Sequence, residues 1–202
     1  MKIGIVSELT GGSDICYTVT DLSTLQAKEY LAPGETILFA LSSPKEEYAF
    51  TNESLIAVCG ESAMSTKRTV ERYEYVHERI ARVTFESCGI TDRDCELKFH
   101  MGSHAFSIDI AKAEQPQAKH FYCVLQELSR AQAGNARKWD FAKSALDASV
   151  HAMRISDPGT TATTLLVDQA ASVQAWLQDT FATTNPHCYQ AVIQAALERV
   201  VS

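Results

Sequence analysis

Three cations, Lys67, Arg68 and Arg72, stand close together in the stretch GESAMSTKRTVERYEY at 60–75. A Lys-Arg tip of this kind can hold a phosphate through charge-assisted hydrogen bonds, provided the local field is positive. Glu61, Glu71 and Glu74 offset the three cations one for one within the same stretch. The run therefore reads first as a solvated strand and its connection, with opposite charges interspersed. Binding of an anionic ligand or a membrane surface through the Lys67/Arg68 loop, with Arg72 behind it, is the alternative function. Arg79 and Arg82 extend the basic run, yet residues 60–86 hold five acidic side chains against five basic ones, so attraction per copy is small.

Other chemistry-bearing residues lead to bland readings. His100 and His104 flank a Met-Gly-Ser turn and suggest zinc, but the alternation that puts His100 outward puts Cys95 inward, and no third ligand stands at a structural-site spacing. Nucleophilic catalysis needs a Ser or Cys beside a His that a carboxylate orients; no GxSxG or family-specific cysteine motif is present. GGSD at 11–14 is neither a dinucleotide fingerprint nor a phosphate loop. Tyr73 and Tyr75 alternate with Arg72, Glu74 and Glu78, too neutral a setting for base stacking. No catalytic residue, metal ligand or cofactor is expected.

The totals agree. Eighteen basic and 25 acidic residues in 202 give a net charge of -7, which offers no general attraction to nucleic acid or anionic lipid. The six cysteines are scattered without a CxxC pair and read mostly as small buried hydrophobes. The opening MKIGIVSELTGGSD has only a four-residue apolar run, short of a secretory signal, and no stretch reaches membrane-spanning length. A soluble, cytoplasmic chain is the expectation.

From Gly34 to Ile110 the dominant period is two, and it predicts seven antiparallel strands: ETILFAL, EEYAF, LIAVC, RTVERYEY, a strand within EYVHERIARVTFESC, CELKFHM and HAFSIDI. In the sixth, Cys95, Leu97, Phe99 and Met101 alternate with Glu96, Lys98 and His100. At Pro116 the period becomes helical, with Phe121, Val124, Leu125 and Leu128 on one stripe. Seven strands and one amphipathic helix bury their apolar faces together if the sheet curls into an open barrel and the helix plugs its end. DLSTLQAKEYLAPGE, before the first strand, suits a short helix.

After Gly134 the chain turns alanine-rich, and three helices are expected, broken at SDPGTT (156–161) and TTNPH (183–187). Five basic and six acidic side chains are too few to solvate a small bundle of this size. The helices therefore should associate, through an interface that includes Trp139, Leu146, Val150, Trp176, Leu177 and Phe181. The expected division is an N-terminal segment 1–33, a barrel with its capping helix at 34–133, and a helical region at 134–202.

The stretch EYAFTNESLIAVCGESAMSTKRTVERYEYVHERIARVTFESCGITDRDCELKFHMGSHAFSIDIAK resembles the bacterial pleckstrin-homology-like family, in particular its YvbH-type members. Its FTNESLI turn and strand, the GESAMSTKRT connection, the VTFESCG run and FSIDI carry the resemblance, which covers about residues 35–130. The extension after 134 is similar to the oligomerisation region that follows the domain in those proteins. The resemblance implies an α+β fold, a pleckstrin-homology-like split barrel capped by a C-terminal helix and followed by a helical extension that mediates homo-oligomerisation, and no enzymatic activity. A binding or scaffold protein with itself and an unidentified protein as partners follows. Lipid binding does not carry over, because SSPKEE between the first two strands sets Lys45 against Glu46 and Glu47.

Overall fold

A computed structural model describes residues 13–89, 93–155 and 162–199. Eight strands are described: β1 (Tyr17–Thr18), β2 (Ile37–Ser42), β3 (Glu46–Thr51), β4 (Ser54–Gly60), β5 (Arg68–Glu74), β6 (Ile80–Glu86), β7 (Asp94–Met101) and β8 (His104–Ala111). The seven expected strands are all present. The eighth, β1, escapes a period-two reading because two residues carry no period; Tyr17 and Thr18 pair with Ser42 and Leu41.

The strands form two antiparallel sheets, β1-β2-β3-β4-β5 and β6-β7-β8. Cys16 joins them: its N–H donates to the Asp109 carbonyl at 2.7 Å and its carbonyl accepts from Ala111 N–H at 3.0 Å, while the next two residues enter the first sheet. β6 is bent where Arg82 takes a left-handed φ of 52° and the register with β7 shifts between Ala81 and Thr84. In β7 the alternation is as expected, with Cys95, Leu97, Phe99 and Met101 buried and the residues between them half-buried.

Two exceptions to alternation have the same cause. β3 and β4 are buried along nearly their whole length, on both faces. The second face is covered by the N-terminal segment, which forms two 3-10 turns, Leu22–Thr24 and Gln26–Tyr30. From these, Leu25 and Ala27 pack on Ala40, Ala49, Ile56 and Val58. Glu47 turns inward, where its carboxylate accepts the N–H groups of Gln26 (3.1 Å) and Ala27 (2.7 Å) and so caps the second turn.

Helix α1 (Gln115–Ile155) begins as the expected plug. Phe121, Val124, Leu125 and Leu128 are buried, and Phe121 stacks on Phe39 at 4.5 Å, which stacks in turn on Phe50 at 4.4 Å. Ser129 Oγ donates to the Ile80 carbonyl (2.7 Å) and Gln126 Nε2 to that of Val83 (3.1 Å), pinning the helix to β6.

The helix does not stop at Gly134. One glycine raises the cost of a helix without ending it when good helix formers flank it, and Ala131, Ala133 and Ala136 do so here. A Cβ added at Gly134 would meet nothing within 4 Å. Gly134→Ala should therefore stabilise the chain by about 0.5–1 kcal/mol, read as an upward shift of the urea midpoint at constant m-value.

Two further helices follow, α2 (Ala162–Thr184) and α3 (Gln190–Leu197). The break expected at 156–161 lies outside the described residues; the break at TTNPH is seen, with α2 ending at Thr184. The chain divides into two compact units. One comprises residues up to Arg130 together with those from His187 on; the other is Ala131–Pro186. α3 thus belongs with the barrel rather than with the helices before it.

Candidate functional site

Arg68 leaves the start of β5 with its guanidinium over the Cα of Gly60, so close that a Cβ there would fall 2.0 Å from Nη1. It donates to the carbonyls of Lys45 (3.0 Å) and Pro44 (3.1 Å) in the β2–β3 turn. Arg68 is a clamp between two connections. Lys67, exposed at the tip, pairs with Glu61 at 3.1 Å. Arg72 points elsewhere, to Glu35 at 2.7 Å and Glu74 at 3.3 Å. The three cations named from the sequence do not converge, and each already has oxygen partners.

The most constrained polar centre of the barrel unit surrounds Glu35, whose side chain is 0% exposed. Its carboxylate accepts from Arg72 Nη1 (2.7 Å), Thr51 Oγ1 (2.5 Å), Ser54 Oγ (2.6 Å) and Ala32 N–H (2.8 Å). Burial alone would raise its pKa; the donors, led by Arg72, outweigh it and hold the carboxyl below the usual glutamate range. Thr51 also accepts from Ser54 N–H (2.7 Å) and Glu53 N–H (3.0 Å), which shapes the TNES turn. The next residue, Asn52, accepts from Thr36 N–H through Oδ1 (2.7 Å). By sequence these residues fall in a turn and at a strand start; that Glu35 faces inward is set by an arginine 37 positions later.

Onto this turn folds the C-terminal end. The Asn52 carbonyl accepts the Tyr189 N–H at 2.7 Å, and the Tyr189 ring meets Tyr75 edge-on at 6.1 Å. Ile193 and Ala196 are buried, the Ala196 carbonyl lies 3.1 Å from His120 Nε2, and Arg199 pairs with Glu127 at 3.2 Å.

In the helical unit, Trp139 and Phe181 meet edge-on at 5.3 Å, with Lys143 Nζ 5.8 Å from the Trp139 ring centre. Trp139, Leu146 and Leu177 are half-buried; the Val150 side chain lies outside the described residues. Trp176 and Phe181 are 46% and 52% exposed, and Phe141, at 76%, is more exposed than either. The helical period does not single out Phe141, because it falls off the stripe defined by Trp139, Ala142 and Leu146.

The β7–β8 register separates the two histidines considered for zinc. His100 pairs with Ala105 and His104 with Met101, so their side chains leave opposite faces of the hairpin. Among the described residues no cluster of His, Cys, Asp or Glu is suited to a metal ion. Burial pushes the Cys16 and Cys95 thiols up to about 12, Cys88 adding to the effect at Cys95. Such thiols are poor nucleophiles. No helix among the described residues is long and apolar enough to cross a membrane.

Comparison with known proteins gives the same architecture. A solved structure from Exiguobacterium sibiricum, described as a PH domain containing bacterial protein, superposes with a TM-score of 0.82 at 28% identity, covering 92% of this chain and 100% of that one. The uncharacterised protein YvbH of Bacillus subtilis is 33% identical over 158 residues, 76% of this chain and 78% of that protein. The family model described as the bacterial PH domain matches residues 16–129, from the cysteine that joins the sheets to the serine that pins the capping helix. With two sheets, a plugging helix and this match over more than half its length, the chain belongs to the bacterial PH domain family.

Proposed function

We propose that this chain is a non-enzymatic cytoplasmic scaffold: the barrel presents loops or a strand edge to a protein partner, and copies associate through the helical unit. The observation that carries the reading is the exposure of Phe141, Trp176 and Phe181 on helices with few charges. Large apolar side chains left in water on a charge-poor surface favour association with a like surface. A second copy is the partner of matching chemistry, and several copies would turn a weak barrel contact into a strong one.

The test is light scattering after size exclusion, well above micromolar concentration, where a modest interface is populated. The parent chain should run as an assembly. Phe141→Glu with Trp176→Glu should reduce its mass toward one copy with helix content unchanged, since both side chains are exposed within the chain. A parent that runs as a monomer would remove the proposal.

A further inference from the structure

We infer that Cys88 and Cys95 are a site of reversible oxidation, where a small-molecule disulfide converts the two thiols into a bond that closes the β6–β7 connection. The site lies within the barrel unit of one chain, so it holds whether or not copies associate through the helical unit.

Pairing between β6 and β7 ends at Glu86 opposite Glu96, so Cys88 stands outside the ladder, while Cys95 stays paired with Ile110 of β8. Off the ladder, Cys88 is released from the alternation that would turn it to the face opposite Cys95. Its sulfur reaches Cys95, whose thiol hydrogen-bonds to it. Both are free thiols; Cys95 is buried at 3% exposure and Cys88 is half-buried, so Cys88 is the one that a solute meets. Lys112 anchors the backbone beside each cysteine. Its Nζ donates to the carbonyl of Gly89, next to Cys88, at 2.8 Å, and its N–H donates to the carbonyl of Arg93, two before Cys95, at 3.0 Å.

Sulfurs already in contact need only side-chain movement to reach bonding distance, about 2 Å. The half-exposed Cys88 gives its proton to water and attacks the small-molecule disulfide; one sulfur of that molecule joins Cys88 and the other leaves as a thiolate that takes up a proton. Cys95 then gives up its proton, attacks Cys88 Sγ and expels the second small thiol in the same way. Two protein thiols become one disulfide, and one small disulfide becomes two thiols. Burial is the main reason that Cys95 keeps its proton, and the neighbouring Cys88 adds to it. The contribution of Cys88 disappears once that sulfur is capped, and contact then supplies the high effective concentration that a buried thiol lacks toward reagents in solution. In a compartment that keeps thiols reduced, a pair of this kind is a transient one that follows the redox poise.

The test uses oxidised glutathione on the full-length folded chain, followed by acid quenching, alkylation of the remaining thiols, trypsin and mass spectrometry. Trypsin cuts after Arg82, Arg93 and Lys98, so the bond appears as peptide 83–93 joined to peptide 94–98. That joined peptide is expected in most copies, ahead of links among the other four cysteines, and dithiothreitol should return both halves to free thiols. In Cys95→Ala the second step has no thiol, and the share of Cys88 that carries glutathione should rise several-fold over the parent. The parent alone is decisive if the variant folds poorly. Finding its Cys88 free, or capped with glutathione, with no peptide joined to Cys95 overturns the inference, because a thiol in contact displaces the cap.

Discussion

Arg72→Met is expected to destabilise the fold by about 3 kcal/mol, near the lower end of the range for breaking a buried ion pair because Arg72 is itself partly exposed. The loss comes from what remains: a carboxylate sealed at 0% exposure that has lost its only cationic partner among the described residues. Removing the charge at the other end should be milder. Glu35→Gln keeps the shape and leaves Arg72 with Glu74 and partial access to water. The double variant should recover much of what Arg72→Met alone loses, and denaturant unfolding of the four chains gives the coupling directly.

The pH dependence carries a definite sign. Glu35 has a folded pKa below its unfolded one, so its contribution is fully present above the ordinary glutamate pKa and is lost as pH falls through the folded value. In Arg72→Met, the leading effect that lowers that pKa is gone and burial pushes it up. Folded Glu35 in the variant then takes up its proton at a higher pH than folded Glu35 in the parent does. The deficit of the variant relative to the parent should shrink on going from about pH 7 to about pH 4. An Arg72→Met chain that loses under about 1 kcal/mol at neutral pH would mean that water reaches the carboxylate.

Ile193→Ala is the second large expectation, at about 2–4 kcal/mol. Ile193 is 1% exposed on a helix with only two other buried side chains near it, Tyr189 and Ala196, so it carries a large share of the apolar contact that seats α3. The effect should be local as well as global. Amide exchange at Tyr189, whose N–H is held by Asn52, should accelerate in the variant, while the β7–β8 ladder, which lies in the other sheet from the β3 strand that leads to Asn52, should change little. Equal acceleration in both places would mean that α3 and the barrel open as one unit.

The parts of this fold that the sequence makes legible are those where one face is wet. β7 and the first turns of α1 show their periods plainly because Glu96, Lys98 and His100, or the polar residues between Phe121 and Leu128, meet solvent. β3 and β4 lose alternation because the N-terminal turns cover their outer face, and Glu47 becomes an internal cap there. Long-range partners are the other hidden part. Nothing near Glu35 announces Arg72, and nothing near Tyr189 announces Asn52. The helical stripe that places Val192, Ile193, Ala196 and Leu197 together shows that α3 buries a face; it does not say against what. Gly134 is a local signal that the surrounding alanines outweigh. Of the basic trio, Lys67 stands at the tip as the turn chemistry suggests, whereas Arg68 and Arg72 are turned away by a glycine and a glutamate.

The barrel unit is assembled from two stretches of chain, one ending at Arg130 and the other beginning at His187. On the ribosome these are made in order, and synthesis adds roughly 5–20 residues per second. The strands and the plugging half of α1 are therefore complete seconds before Tyr189 exists. Through that interval the Asn52 carbonyl and the Tyr75 face have no α3 to cover them, on every nascent copy along a shared message. α3 is thus also a timing element: folding of the barrel unit finishes only after the residues from His187 on have left the ribosome.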